Sequence, residues 1–285
     1  MKKTLFTSTL LFCFLLFAMK NLNYDGKALE LTKQMVEKIQ TYKTFKFTLT
    51  KYERIKGKMV QEKLNAKIQA KPLNVYGLFS IPVDGREVLF KSGNNNGKAL
   101  INPGEFPWVN LNLDPQGSLM RKDQHHAIFA FDFNYLVAFL EHLLNKYADN
   151  AENMVEIKGE VQWDKRPCYH IEMNNPNYTL ESYTVQNEKS LIEVAKNLKV
   201  NEYTILSLNK NVSNYYDIES GQKLTVPNDY AKRMTLYLDK EYLIPVMVKV
   251  YDSKGLYEHF EYTNLEVNPN ISQEEFSADY KGYSF

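Results

Sequence analysis

Glycine, proline, tryptophan and cysteine are scarce in this 285-residue chain, at 12, 10, 2 and 2. So little Gly and Pro excludes a collagen-like or low-complexity polymer. Two cysteines exclude a disulfide-stapled scaffold. Cys13 sits in an apolar leader, and once that is removed Cys168 stands alone, so packing must supply the stability. An excess of charge is missing too: Lys and Arg number 35 against 34 Asp and Glu, with no long run of one sign. Nucleic-acid binders draw affinity from a basic stripe that neutralises phosphates, so no nucleic-acid partner is expected. Beyond residue 19 no stretch approaches the roughly 20 apolar residues that span a bilayer.

What is present is a large apolar and aromatic share. Apolar residues make up 44%, enough to fill a core and argue against disorder. The 20 Tyr and 16 Phe favour strands, where aromatic side chains fit a pleated surface. At the amino terminus Met1-Lys2-Lys3 precedes an almost wholly apolar run from Leu5 to Met19. A basic tip, a short apolar run and Ala18 near its end read as a signal peptide over residues 1–19. The alternative is a retained anchor. Cleavage predicts an exported protein of the bacterial periplasm or cell envelope, and losing Lys2 and Lys3 leaves 33 basic against 34 acidic side chains.

Residues 27–43 carry Leu31, Met35, Val36, Ile39 and Tyr42 at helical spacing. The period then becomes two: Phe45, Phe47, Leu49 and Tyr52 interleave with Lys46, Thr48 and Lys51, which predicts a half-buried strand with Tyr52 inward and Lys51 outward. Further strands follow to Pro82, with Asp84-Gly85 as a hairpin turn. Residues 103–126 are broken by Pro103, Pro107, Pro115 and Gly117. A second helix is expected over residues 129–147, apolar around most of its circumference. Strands are expected at Val155–Trp163, Pro167–Met173, Met234–Asp239, Pro245–Asp252 and Tyr257–Leu265. Antiparallel strands with two helices make an α+β domain.

Between these strands residues 183–227 read as strand, helix, helix, strand. Tyr183, Val185, Ser190, Leu191, Ala195, Val200, Leu206, Asn209 and the ending Gly221-Gln222, Leu224, Val226-Pro227 resemble a LysM module. The resemblance implies a small βααβ domain over residues 182–228 that binds peptidoglycan or other N-acetylglucosamine-containing glycan. It also implies a saccharide groove between two loops. The implied glycan-binding residues are Asn187, Glu188, Lys189, Ser190 and Leu191 on one loop and Tyr215, Tyr216, Asp217, Ile218 and Glu219 on the other. Glu188-Lys189 stands where the family prefers Gly-Asp. A degenerate module kept for packing or protein contact is the competing reading.

The flanking pieces, residues 26–181 and 232–285, resemble the outer-membrane lipoprotein carrier (LolA-like) architecture. The residues that carry this are the leading helix, Pro167-Cys168-Tyr169, Leu238-Asp239-Lys240, Pro245, Val248–Asp252 and Asn268-Pro269 before Phe276. The resemblance implies a curved antiparallel half-barrel sheet around helices, whose concavity takes a lipid, lipoprotein or envelope protein partner. Phe129, Phe131, Phe133 and Phe139 would line that concavity or simply fill a core.

Catalytic signatures are missing: no HExxH, nucleophile elbow, phosphate loop or CxxC occurs. The histidines are His125, His126, His142, His170 and His259. Metal sites need three or four converging ligands, and two adjacent histidines on unlike faces do not supply them. No metal, cofactor or catalytic residue is therefore expected. The expected function is a secreted, non-enzymatic binding protein, docked on peptidoglycan by the inserted module. The alternatives are a cell-wall- or lipid-processing enzyme anchored by that module, and an insert with a structural role only.

Overall fold

A computed structural model describes residues 26–285; the expected leader over residues 1–19 lies outside the described residues. In chain order the elements are α1 (Lys27–Ile39), β1 (Thr44–Ile55), β2 (Lys58–Gln69), β3 (Asn74–Ile81), β4 (Glu87–Lys91), β5 (Ala99–Asn102), β6 (Leu111–Leu113), α2 (Asn134–Lys146), α3 (Ala151–Met154), β7 (Val155–Trp163), β8 (Arg166–Asn174) and β9 (Leu180–Thr184). They continue with α4 (Leu191–Leu198), α5 (Glu202–Leu208), β10 (Lys223–Pro227), β11 (Arg233–Asp239), β12 (Pro245–Asp252) and β13 (Gly255–Val267). The fold is α+β. Eleven strands form one antiparallel sheet in the order β6-β5-β4-β3-β2-β1-β13-β12-β11-β8-β7, while β9 and β10 pair apart. The sheet stays open, because its edge strands β6 and β7 are not paired with each other.

Alternation along the strands sorts two apolar surfaces. Phe45, Phe47, Val75, Leu236 and Val248 meet Leu31, Met35 and Ile39 of α1 and Val137, Leu140 and Leu144 of α2 in the main core. On the opposite face Tyr76 and Leu89 are covered by Ile271 and Phe276 of the carboxy-terminal segment. The second helix starts at Asn134, five residues later than its periodicity predicts, because Ile128–Ala130 forms a separate 3-10 turn. Phe129 is left 44% exposed, and within α2 only Val137, Leu140 and Leu144 are fully buried.

The inward phase of β1 corrects the sequence reading. It runs Phe45, Phe47, Leu49, Lys51, Glu53, Ile55 without a break, so Lys51 and Glu53 are buried and Tyr52 faces the other way. Hydrophobicity favoured Tyr52 inside. The period of two is set by the backbone, and twelve consecutive residues paired with β2 leave no place for a phase change.

Strands β8 and β11 are neighbours, so the chain leaves the sheet after Asn174 and returns beside its exit point, where the Asn175 N–H donates to the Lys232 carbonyl (2.9 Å). The excursion carries β9, α4, α5 and β10 around its own core of Val185, Leu191, Val194, Ile205 and Leu224. Ser190 and Asn201 cap α4 and α5, each side chain accepting a backbone N–H of the first turn.

Candidate functional site

The register of β1 against β13 sets Glu53 directly opposite Glu258. A bulge in β13 leaves Tyr257 as an extra residue against β12, so Tyr257 and Glu258 are both buried although adjacent. Two carboxylates facing each other across a sheet repel, and three basic side chains offset that here. Lys51 Nζ lies 3.2 Å from Glu53 Oε2 and 2.8 Å from Glu62 Oε2. His125 and His126 arrive from the irregular segment after β6.

The His125 ring is stacked between Tyr203 (centroids 4.6 Å apart) and Tyr257 (4.1 Å). Its Nδ1 is 2.7 Å from Glu258 Oε1, and its Nε2 donates to the Arg54 carbonyl at 3.2 Å. That carbonyl can only accept, which assigns the proton on Nε2. The His125 backbone N–H donates to Glu53 Oε2 (3.1 Å). His126 Nε2 sits 2.9 Å from Glu258 Oε1 and 3.9 Å from Glu53 Oε1. Tyr230 donates its hydroxyl to Glu258 Oε2 (2.6 Å). Glu53 Oε1 is buried and has no hydrogen-bond partner.

Burial alone would raise both carboxyl groups, but the neighbouring cations win. His126 and the hydrogen bonds from both imidazoles hold Glu258 well below the usual range. Lys51 and then the histidines lower Glu53 despite its burial and the nearby Glu258. Burial lowers His126, yet Glu258 beside it raises it on balance. The result is a buried, mutually compensating cluster of opposite charges.

His126, Glu53 and Lys51 also form the polar end of a narrow cavity of ≈ 60 Å³ between the sheet and the start of α2. Its apolar walls include Leu49, Phe131, Leu136, Val248, Val250 and Phe260, with Tyr135 and Tyr230 near the charged end. Backbone hydrogen bonds of residues 128–133 run within that segment and into α2, not to the sheet. Side chains hold the segment instead at its two ends, where Ile128 and Phe133 are buried in the main core, while Phe129–Asp132 between them are partly exposed.

The inserted unit closes the other side of the cluster. Asn201 Nδ2 donates to the His125 carbonyl (3.3 Å) and lies 3.4 Å from His126 Nδ1, while Thr204 donates to the Tyr257 hydroxyl (2.8 Å). Arg121 pairs with Glu202 (2.9 Å) and donates to the His125 carbonyl (3.0 Å) and the Tyr215 hydroxyl (3.2 Å).

That contact bears on the expected glycan loops. The two loops do meet: the Leu191 N–H donates to the Tyr215 carbonyl at 2.7 Å. However, Leu191 is core, Ser190 is a buried cap, and Tyr215 is buried beneath the Arg121 guanidinium, 4.4 Å from its ring. Glu188 accepts from Tyr183 (2.6 Å), Gln186 and Asn197, and the Tyr183 hydrogen bond above all lowers it to about 2. Asp217 is held by Ser213, and Ile218 packs against the insert core. Asn187, Lys189, Tyr216 and Glu219 remain exposed.

Sequence reasoning expected His125 and His126 to diverge and no metal ligands to converge. Both imidazoles instead share one carboxylate, because the chain around them is irregular and obeys no strand alternation. The signal available was Lys51 and Glu53 in phase with three inward apolar residues and Ile55. His170 and Cys168 do not join this site: His170 pairs with Glu172 (3.2 Å), and Cys168 is fully buried, pushed up to about 12 by burial and Asp239.

One family model matches, "Protein of unknown function (DUF1571)", over residues 42–206, more than half of the chain. It runs across the start of the inserted unit, and the expected LysM module gains no support from it. No curated protein sequence matches. Similar solved structures include lipoprotein LppX of Mycobacterium tuberculosis, 10% identical, covering 87% of this chain and 98% of that one with a TM-score of 0.41. Another is LprF of Mycobacterium bovis (10% identity, 87% and 95% covered, TM-score 0.42). A third is a putative outer membrane lipoprotein-sorting protein domain from Vibrio parahaemolyticus (9%, 90% and 98%, 0.36). At such identities and scores, function has to be argued from this chain's own residues. Among the described residues no helix is long and apolar enough to cross a membrane.

Proposed function

Since this chain belongs to the DUF1571 family of unknown function, we propose that it is a non-catalytic binding protein of the bacterial envelope whose cavity takes the apolar chain of an amphipathic ligand such as a lipid. The observation that carries this reading is the cavity itself, with walls of Leu49, Phe131, Leu136, Val248, Val250 and Phe260 and few charged side chains, Lys51, Glu53, His126 and Asp132, on its lining. Ligand sites of this kind are mostly apolar with a few placed polar groups. At ≈ 60 Å³ the cavity holds on the order of a few waters, so a chain enters by displacing the partly exposed residues 129–132 from the sheet. The basic tip and apolar run at residues 1–19 support export.

Displacement of a fluorescent fatty acid from the full chain tests this. Leu136→Trp, at a half-buried wall position, should weaken binding at least about tenfold while unfolding stays cooperative. Failure of the wild-type chain to bind any acyl probe, or unchanged affinity in Leu136→Trp, rules the reading out.

A second reading keeps glycan as the partner of the inserted unit. It is favoured by the loop contact at Leu191 and Tyr215, on loops where Asn187, Lys189, Tyr216 and Glu219 are each exposed. Retention on purified peptidoglycan that drops in Tyr216→Ala would support it. No retention, beside a LysM protein that is retained, would remove it.

A further inference from the structure

We propose that Glu53, His125, His126 and Glu258 form a binding site for one divalent first-row transition ion, with Zn2+ the best match to the donor set. One ligand atom from each residue lies within 4.8 Å of all the others. A tetrahedral Zn2+ with bonds of about 2.0–2.1 Å needs its ligands roughly 3.3–3.4 Å apart. Three of the distances here are 2.7 Å (His125 Nδ1 to Glu258 Oε1), 2.9 Å (His126 Nε2 to Glu258 Oε1) and 3.9 Å (His126 Nε2 to Glu53 Oε1), on either side of that value.

A second, independent observation points to a ligand. Glu53 is 2% exposed, and its Oε1 has no hydrogen-bond partner although it faces His126. A buried polar atom left unpaired in an otherwise well-bonded cluster is costly, and a cation between Glu53 and His126 satisfies it. Lys51 stays with Glu53 and Glu62 and offsets part of the carboxylate charge.

The outer contacts suit ligation. His125 Nε2 donates to the Arg54 carbonyl, which leaves Nδ1 free to bind. Tyr230 holds the second oxygen of Glu258, and Lys51 with the His125 backbone N–H holds the second oxygen of Glu53. Carboxylates are hard donors, but two borderline imidazoles in a set of four suit Zn2+, Fe2+ or Co2+ over Ca2+, which takes six to eight oxygen ligands. Glu53 and His126 line the cavity described above, which gives the ion its route in.

The test is titration of the chelator-treated full chain with Co2+, read by its visible bands, and with Zn2+ by calorimetry. The expected result is one ion per chain, the intense bands of four-coordinate Co2+, and a higher melting temperature. Glu53→Gln and His126→Gln should each weaken binding at least about 10- to 100-fold, and His170→Gln should leave it unchanged. Glu53→Gln keeps the side-chain shape, so it decides the matter if the histidine variant does not fold. Absence of bands and heat in the wild-type chain overturns the proposal, as does only the weak spectrum of six-coordinate Co2+. Binding that survives both variants unchanged overturns it equally. None of these readouts involves a lipid, so the outcome is separate from that of the cavity's ligand.

Discussion

Lys51 shows how a single buried side chain can be both costly and indispensable. It is 5% exposed, with Glu53 and Glu62 as its partners, and those two carboxylates raise its ammonium group above the ordinary lysine value although burial opposes this. Lys51→Met would leave two carboxylates buried without their cation. Breaking a buried pair from one side costs on the order of 3–5 kcal/mol, so urea unfolding should show a loss of that size. A loss under about 1 kcal/mol would mean the cluster relaxes into water. Cys168 makes the opposite case. Its thiol is fully buried and pushed up to about 12, first by burial and then by Asp239. At pH 8 a thiol reagent should leave it untouched in the native protein and modify it at the rate of unfolding; prompt native labelling would contradict that burial.

Among the elements, the carboxy-terminal segment owes part of its attachment to charge. Ile271 and Phe276 pack on Tyr76 and Leu89, Tyr283 stacks on Tyr76 with centroids 3.7 Å apart, and Glu275 lies 2.6 Å from Lys67 and 3.8 Å from Lys46. Burial raises the Glu275 carboxyl, but the Lys67 hydrogen bond and the other partners lower it on balance from 4.5. A carboxyl with a lower folded than unfolded pKa contributes stability above pH 4.5 that disappears as pH falls through the folded value. Hydrogen exchange over residues 271–285 should therefore speed up, relative to intrinsic rates, as pH falls below 4.5 and before the sheet opens. Glu275→Gln should remove that pH dependence and cost about 1 kcal/mol or less, as partly exposed pairs do. The β1 strand carries the lesson about reading elements from sequence. Its period of two and its boundaries were legible, but its phase was misjudged at Tyr52, because an aromatic residue is a stronger inward cue than Lys51 or Glu53. Only pairing with β2 and β13 settles which face is which.

At the scale of the whole molecule, the inserted unit has its own core yet is not an appendage. Arg121, Asn201, Tyr203 and Thr204 tie it to His125 and Tyr257 through buried contacts. Opening that junction would expose the charged cluster, so the two cores should unfold together. Calorimetry of the full chain should show one transition with equal calorimetric and van't Hoff enthalpies. Two separated transitions would mean the junction carries little energy.

Most element types and strand boundaries followed from the chain alone, as did the strand-helix-helix-strand order expected over residues 183–227, whereas the short β5, β6 and α3 did not. Periodicity and capping act over a few neighbours, and those neighbours are visible in a sequence. The candidate site was decided only by tertiary structure. Glu53, His125, His126 and Glu258 meet through a strand register, a bulge at Tyr257 and an irregular segment, across sequence separations of up to 205 residues. No local propensity encodes such a meeting, because the burial of charge is set by what the whole sheet packs against it.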